Sequence, residues 1–311
     1  MFSKKLCILL NLFLFVASQQ KRIVAVGDIH GDIAHAKIVM HMAGATDKEG
    51  NWIGGSDLTL VQTGDVLDRG KDTIELFKWL MKLKDQAKKA GGKFVMLLGN
   101  HEIMNLRGSL NYVTEEEKQT FASPEERKKA FSKDGWIGKF LRTLPMSIVI
   151  DGTVFVHGGI TKSYIKNGIS KMNEEASEYI REDTEDMLKS RELFKQSSDS
   201  PVWYRGYYEK PEPEACEELK EVLKLLGAQR MVMGHTVTKY RTIESRCNGM
   251  AYFIDVGISS YYGPTNFAAL QLTKAGATEI HPKMKYNLPF IPSVATPPVK
   301  PPRKSAPKKT A

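Results

Sequence analysis

Asp28, His30, Asp65, Asn100, His157 and His235 combine carboxylate, amide and imidazole donors, and no cysteine lies near them in the chain. That donor set suits hard-to-borderline divalent ions such as Mn, with Fe or Zn as alternatives, and excludes a thiolate zinc site. Six donors exceed what one catalytic ion with open positions requires. They suit two ions about 3.5–4 Å apart that share a carboxylate. Such a pair clamps the attacking and leaving oxygens of an in-line displacement and acidifies a water between them, which favours hydrolysis of a phosphate ester. His101 directly follows Asn100 and could protonate the leaving oxygen; Asp68, three residues after Asp65, could orient that imidazole and raise its pKa. The Arg69 guanidinium offers a planar fork that matches phosphate oxygens. Arg205, in an aromatic loop after the SSDSP stretch, could be a second clamp or could stack on Trp203 or Tyr204.

These residues share a position. IVAV ends in GDIHGD, LTLVQ in GDVLDRG, KFVMLL in GNHE, TVFV in HGG, RMVM in GHT and YFI in DVG. Short apolar runs bounded by turn residues read as buried strands. Polar side chains at the end of a buried strand are costly unless paired, ligated or wet. A lone GDxH or GHT is a weak signal, and each could be a turn with a satisfied histidine. Six strand ends of the same kind point to one site built on strand termini.

The elements that must position them follow the same logic. Strands at 23–26, 58–62 and 94–98 alternate with helices at about 32–42 and from Asp72, its expected cap, to a stop at Gly91. Leu76, Leu80, Leu83 and Ala87 form the apolar stripe of the second helix, and Ile33, Ala36, Ile38 and Val39 are the apolar candidates of the first. His35 and His41 lie inside that first helix and end no strand, so they read as packed or solvated residues. Strand–helix alternation argues for parallel pairing, with ligands beyond the carboxyl ends of the strands. Residues 113–144 and 162–195 are polar and mostly helical, with a helix start at Ser123-Pro124. Asp151-Gly152 between two apolar runs signals a hairpin and a switch to antiparallel pairing in the second half. An amphipathic helix over 213–226, closed by Gly227, precedes final strands at 231–233, 251–254 and 267–272.

The formal net charge is +9, but seven of the basic residues lie in the first five residues and from Lys300 onward, which leaves about +2 for the body. No clustered basic helix marks a nucleic-acid binder. Residues 1–18 read as a secretory signal peptide: Lys4 and Lys5, an apolar run of about eleven residues, then Val16-Ala17-Ser18 for cleavage before Gln19. An uncleaved membrane anchor is the alternative; after removal no stable membrane insertion is expected. Residues 19–288 form the catalytic body, and 289–311 a disordered Pro- and Lys-rich tail. Loss of the leader removes Cys7 and leaves Cys216 and Cys247, which can bridge or remain two thiols. No Asn-x-Ser/Thr sequon occurs.

GDIHGD, GDVLDRG, GNHE, HGG and GH, in this order over Val24–Gly257, resemble the metallophosphoesterase superfamily and, within it, the phosphoprotein phosphatases. The resemblance implies an α/β fold, a four-layer αββα sandwich with mixed sheets. It implies Asp28, His30 and Asp65 on one ion, and Asp65, Asn100, His157 and His235 on the other. It implies His101 as general acid with Asp68 behind it, and Arg69 and Arg205 at the phosphate. The chain departs from animal-type Ser/Thr phosphatases: Leu98 replaces the arginine before GNHE, and DVGISSYYG stands where those enzymes have SAPNY. NWIGG, NHEIMNLRG and VWYRG are instead similar to the Shewanella-like protein phosphatases. Sensitivity to toxins of the animal enzymes is therefore not implied, and preference between phosphotyrosine and phosphoserine or phosphothreonine stays open.

The leading expectation is a dinuclear metal-dependent phosphoprotein phosphatase entering the secretory pathway. A dinucleoside-polyphosphate or other small-molecule phosphoesterase would use the same site. A non-catalytic phosphoprotein-binding scaffold would keep the fold, but every ligand and acid position is filled.

Overall fold

A computed structural model of the protein describes residues 21–165, 168–182, 191–196, 199–263, 266–282 and 285–289. The proposed leader, and the tail apart from Pro289, lie outside the described residues. The first half is built as its pattern predicts. Strands β1 (Arg22–Val26), β2 (Leu58–Gln62) and β3 (Lys93–Met96) pair in parallel and are linked by helices α1 (Ile33–Met42) and α2 (Thr73–Lys89). Val24, Ala25 and Val26 are fully buried because parallel strands are covered on both faces. Leu76, Leu80, Leu83 and Ala87 of α2 are buried as expected, whereas Ile38 of α1 is 44% exposed and Met40 takes the core place instead.

Asp72 does not cap α2 with its side chain. Its Oδ2 accepts from the Ile33 backbone N–H at 3.2 Å and so serves the start of α1, while Asp32 caps α1 by accepting from His35 N at 3.0 Å. The carboxylate meets a free amide across the loop junction, where the Asp72 N–H donates to Gly31 O. His35 and His41 are satisfied by backbone carbonyls, those of Ile258 and Thr46.

Helices α3 (Asn100–Leu106), α4 (Glu115–Lys118), α5 (Pro124–Phe131) and α6 (Trp136–Leu141) fill the polar middle, with Ser123 capping α5. The hairpin β4 (Ser147–Ile150) and β5 (Thr153–Val156) turns through Asp151 and Gly152, both at positive φ. Helix α7 (Gly168–Glu182), the short α8 (Gly206–Glu209) and α9 (Glu212–Leu226) follow, and Gly227 at φ 62° closes α9.

The second half is not simply antiparallel. β6 (Arg230–Met233) pairs in parallel with β5 and with β8 (Ala251–Phe253); β4 and β7 (Glu244–Arg246) are antiparallel only at the edges. The parallel centre brings the carboxyl ends of β5, β6 and β8 to one side, a placement that a meander would not give. Beyond β9 (Ala269–Thr273) the chain adds β10 (Gly276–Ile280) and β11 (Lys285–Leu288), two strands absent from the sequence expectation. The sheets run β11-β10-β9-β1-β2-β3 and β4-β5-β6-β8-β7, both mixed. One apolar core joins residues of both sheets and their helices, the αββα arrangement that the motif resemblance implies. Cys216 and Cys247 are bridged, tying α9 to the turn before β8. No helix among the described residues is long and apolar enough to cross a membrane.

Candidate active site

The loops after β1, β2, β3, β5, β6 and β8 meet at one place. Close backbone approach is what makes this possible. A Cβ at Gly99 would overlap Asp65 Oδ1, and one at Gly234 would overlap Asp28 Oδ1. Five polar residues of these loops, His30, Asp65, Asp68, Arg69 and His235, sit at positive φ between 48° and 67°. Left-handed backbone is costly for residues with a Cβ and persists where the surroundings over-determine it, as at functional sites.

Asp28, His30, Asp65, Asn100, His157 and His235 are all brought together and all buried. Asp65 Oδ2 lies 3.3 Å from His157 Nε2, 3.7 Å from His101 Nε2 and 3.8 Å from His30 Nε2. His30 Nε2 is also 3.9 Å from Asp28 Oδ2, and His157 Nε2 is 2.9 Å from Asn100 Oδ1. The other ring nitrogens are held by carbonyls: His30 Nδ1 by Leu67 O and His157 Nδ1 by Thr63 O, each at 2.9 Å. That fixes Nδ1–H as donor and turns the Nε2 lone pair inward. His235 is held the other way round, with Nε2 3.1 Å from Trp203 O and Nδ1 left for the cluster.

At this site two groups of side chains have donor atoms close enough to hold a metal ion, His30-Asp65-His101 and Asp65-His157-His235, and Asp65 belongs to both. Burial is the main force on their protonation. It pushes Asp28 well up, helped by the Asp255 and Asp65 carboxylates, and pushes His30 down to about 3. It pushes His235 down as well, with the His157 and Arg205 charges adding to it. Burial would raise Asp65 too, but the surrounding His157, His101 and His30 outweigh it and hold this carboxyl well below its usual range. Buried carboxylates facing neutral imidazole lone pairs fit a divalent cation, which offsets the cost of burying the charges.

His101 departs from the other rings. Its Nδ1 is 2.6 Å from Asp68 Oδ2, and Asp65 and Asp68 raise its pKa against the opposing effect of burial. Arg69 is half-buried, donates to the Tyr262 hydroxyl, and lies within 5.2–5.6 Å of the Tyr112, Tyr261 and Tyr262 rings. Arg205 donates to His235 O at 2.9 Å and Thr236 Oγ1 at 3.1 Å. A cavity of about 810 Å³ opens beside it, with Trp203 and Thr161 in its wall.

Sequence reasoning gave no role to Glu102 or Asp255. Glu102 is buried and accepts from the backbone N–H groups of Asp65, Val66, Leu67 and Gly99 at 2.8–3.3 Å, which braces the loop carrying Asp65 and Asp68. Its signal was its place in GNHE. Asp255 ends β8 and is fully buried; one oxygen accepts from Gly257 N, and no donor among the described residues meets the other, Oδ2. Burial first, and then the Asp65 charge, raise its pKa to about 6. Its signal was the sixth strand end, DVG. The three tyrosines carried no signal, because residues 112 and 261–262 are far apart in the chain.

Comparison with known proteins agrees with this geometry. Residues 21–239 match the calcineurin-like phosphoesterase family. Shewanella-like protein phosphatase 2 of Arabidopsis thaliana is 33% identical over 284 residues, which cover 77% of this chain and 72% of its own. Shewanella-like protein phosphatase 1 of Plasmodium berghei is 32% identical over 249 residues, 77% of this chain and 68% of its own. Among solved structures, a cold-active protein-tyrosine phosphatase of a psychrophilic Shewanella superposes with a TM-score of 0.76 at 28% identity, covering 86% of this chain and 80% of that one. On the residues, the fold and these relatives, the chain belongs to the calcineurin-like phosphoesterases and, within them, to the Shewanella-like protein phosphatase branch.

Proposed function

We propose that this protein is a metal-dependent phosphoprotein phosphatase that hydrolyses phosphate monoesters, with phosphotyrosine as its preferred substrate. The observation that carries this is Asp65: one buried carboxylate, held well below its usual range, belongs at once to two groups able to hold an ion. Asp28, His30 and Asp65 would hold one divalent ion and Asp65, Asn100, His157 and His235 the other; the mixed oxygen and nitrogen donors suit Mn, Fe or Zn, and Mn is the ion proposed. When bound, such a pair supplies an acidified water and neutralises charge developing on the phosphoryl oxygens.

The chain's own residues do the rest. Arg69 and Arg205, on opposite loops, grip and orient the phosphate. His101 carries a proton on Nε2, kept there by its raised pKa, and passes it to the leaving oxygen as the P–O bond breaks. Asp68 holds the Nδ1–H throughout and stabilises the charged ring. Tyr112, 41% exposed, and Tyr261, 60% exposed, both lie within 5.6 Å of the Arg69 guanidinium, so an aryl phosphate gripped there has aromatic rings to meet. The tyrosine preference rests on those rings and on the likeness to the Shewanella protein-tyrosine phosphatase. The leader sequence and the Cys216–Cys247 bridge support entry into the secretory pathway. Amino-terminal sequencing of the mature protein should then begin at Gln19.

The deciding experiment compares phosphotyrosine with phosphoserine and phosphothreonine peptides on purified, Mn-loaded protein. Faster phosphotyrosine turnover supports the preference. Faster cleavage of a dinucleoside polyphosphate than of any phosphopeptide would refute a phosphoprotein substrate.

A further inference from the structure

Behind the His101–Asp68 pair lies a second, wholly buried set of polar side chains that the reaction itself does not use. Asp68 has two oxygens. Oδ2 faces His101 Nδ1 at 2.6 Å, and Oδ1 accepts from Asn105 Nδ2 at 2.9 Å. Asn105 lies one turn after His101 on α3, and the same amide group reaches His101 O at 3.0 Å. Its carbonyl, Asn105 Oδ1, accepts from Arg127 Nη2 on α5 at 2.7 Å. Arg127 Nε is in turn 2.9 Å from Glu117 Oε2 on α4. Asp68, Asn105, Glu117 and Arg127 are each no more than 5% exposed, and the guanidinium lies 4.6 Å from the Phe131 ring centroid.

The chemistry of the partners fixes the direction of the chain. A guanidinium only donates, so Asn105 must present its oxygen to Arg127 and therefore its NH₂ to Asp68. Asp68 Oδ1 is thus occupied by a donor, and Oδ2 is reserved for the His101 Nδ1–H. Glu117 balances the Arg127 charge, so the guanidinium can sit beside Asn105 without an unpaired buried charge. A flipped Asn105 would turn its oxygen toward Asp68 and its NH₂ toward Arg127, leaving both contacts unfavourable.

We infer that Asn105, Arg127 and Glu117 form a positioning relay, which sets the orientation of Asp68 and through its bond to Nδ1 fixes how the His101 ring presents Nε2 to the site. This rests on His101 acting as the acid in the proposed reaction. These three are positioning residues, since none touches the reacting atoms. A defect in them appears where the leaving oxygen needs a proton and is muted where it does not.

The test uses the full-length Mn-loaded protein and two substrates, a phosphoserine peptide with an alkoxide leaving group and 2,4-dinitrophenyl phosphate, whose leaving group departs as a stable anion. Two variants act on different parts of the relay. Asn105→Asp presents a second carboxylate to Asp68 while Arg127 and Glu117 stay paired. The double variant Arg127→Met with Glu117→Met removes the ion pair without orphaning a charge. Each folded variant should retain wild-type metal content. Its kcat on the phosphopeptide should fall relative to its kcat on the dinitrophenyl ester by about 10- to 100-fold, the usual cost of losing an outer-shell partner. His101→Ala should shift the same ratio further.

Folded, metal-loaded variants with the wild-type ratio would overturn the relay, as would equal losses on both substrates, which mark general damage. If the double variant does not fold, Asn105→Asp decides alone. Should His101→Ala itself leave the ratio unchanged while wild type turns over both esters, His101 is not the acid and the relay falls with it.

Discussion

The two sheets contribute to the site in different ways. Loops leaving the six-stranded sheet carry Asp28, His30, Asp65, Asp68 and Arg69, and four of those five sit in left-handed backbone. Loops leaving the five-stranded sheet carry His157, His235 and Asp255, of which only His235 does. The first half is held by a carboxylate brace, with Glu102 gathering backbone N–H groups of the Asp65 loop. The second is held by carbonyls that turn imidazole rings. The first set of loops holds most of the left-handed backbone and the Asp65 carboxylate; the second adds two imidazoles, of which His235 is also left-handed. In the proposed assignment the shared ligand, Asp65, leaves the six-stranded sheet, and the five-stranded sheet adds His157 and His235, both on one ion.

Substitutions can break or sharpen that contrast. The largest effect is expected for Asp65→Asn, which removes the shared carboxylate: both ions and turnover should be lost together, by elemental analysis and phosphatase assay. Retained metal with full turnover would refute the shared position. Next, His101→Ala should keep metal and slow turnover of an alkyl phosphate by roughly 10²–10⁴-fold. His157→Ala, on the imidazole side, should lower metal content by about half rather than abolish it, because the first ion keeps Asp28, His30 and Asp65. Glu102→Gln should cost roughly 1–3 kcal/mol in urea unfolding, because an amide NH₂ would face backbone donors that now have a carboxylate. Smallest of all, removal of residues beyond Pro289 should leave turnover and stability unchanged, since the Tyr252 hydroxyl bonds to the retained Pro289 carbonyl.

What could be read from the sequence follows the range of the interaction. Polar residues ending apolar runs are local signals; the six residues they singled out are all buried, and His101 does lie against Asp68. The α2 stripe was equally plain, because helical period alone sets which residues are buried. Asp72 misled because a good cap residue beside a helix start had a competing amide from Ile33, thirty-nine residues away. The β10–β11 hairpin was missed because Gly276–Ile280 and Lys285–Leu288 hold few apolar residues in alternation. Parallel pairing of β5, β6 and β8 was masked by the adjacent hairpin signal at Asp151-Gly152. The bridge between Cys216 and Cys247, the tyrosines around Arg69 and the Asn105–Arg127–Glu117 chain all depend on how distant segments pack, and no local pattern announces that.

Anomalous diffraction from crystals grown with Mn tests the central claim most directly. Two peaks about 3.5–4 Å apart, both within bonding distance of Asp65, are the predicted result. A single peak, or peaks that share no ligand at Asp65, would contradict it.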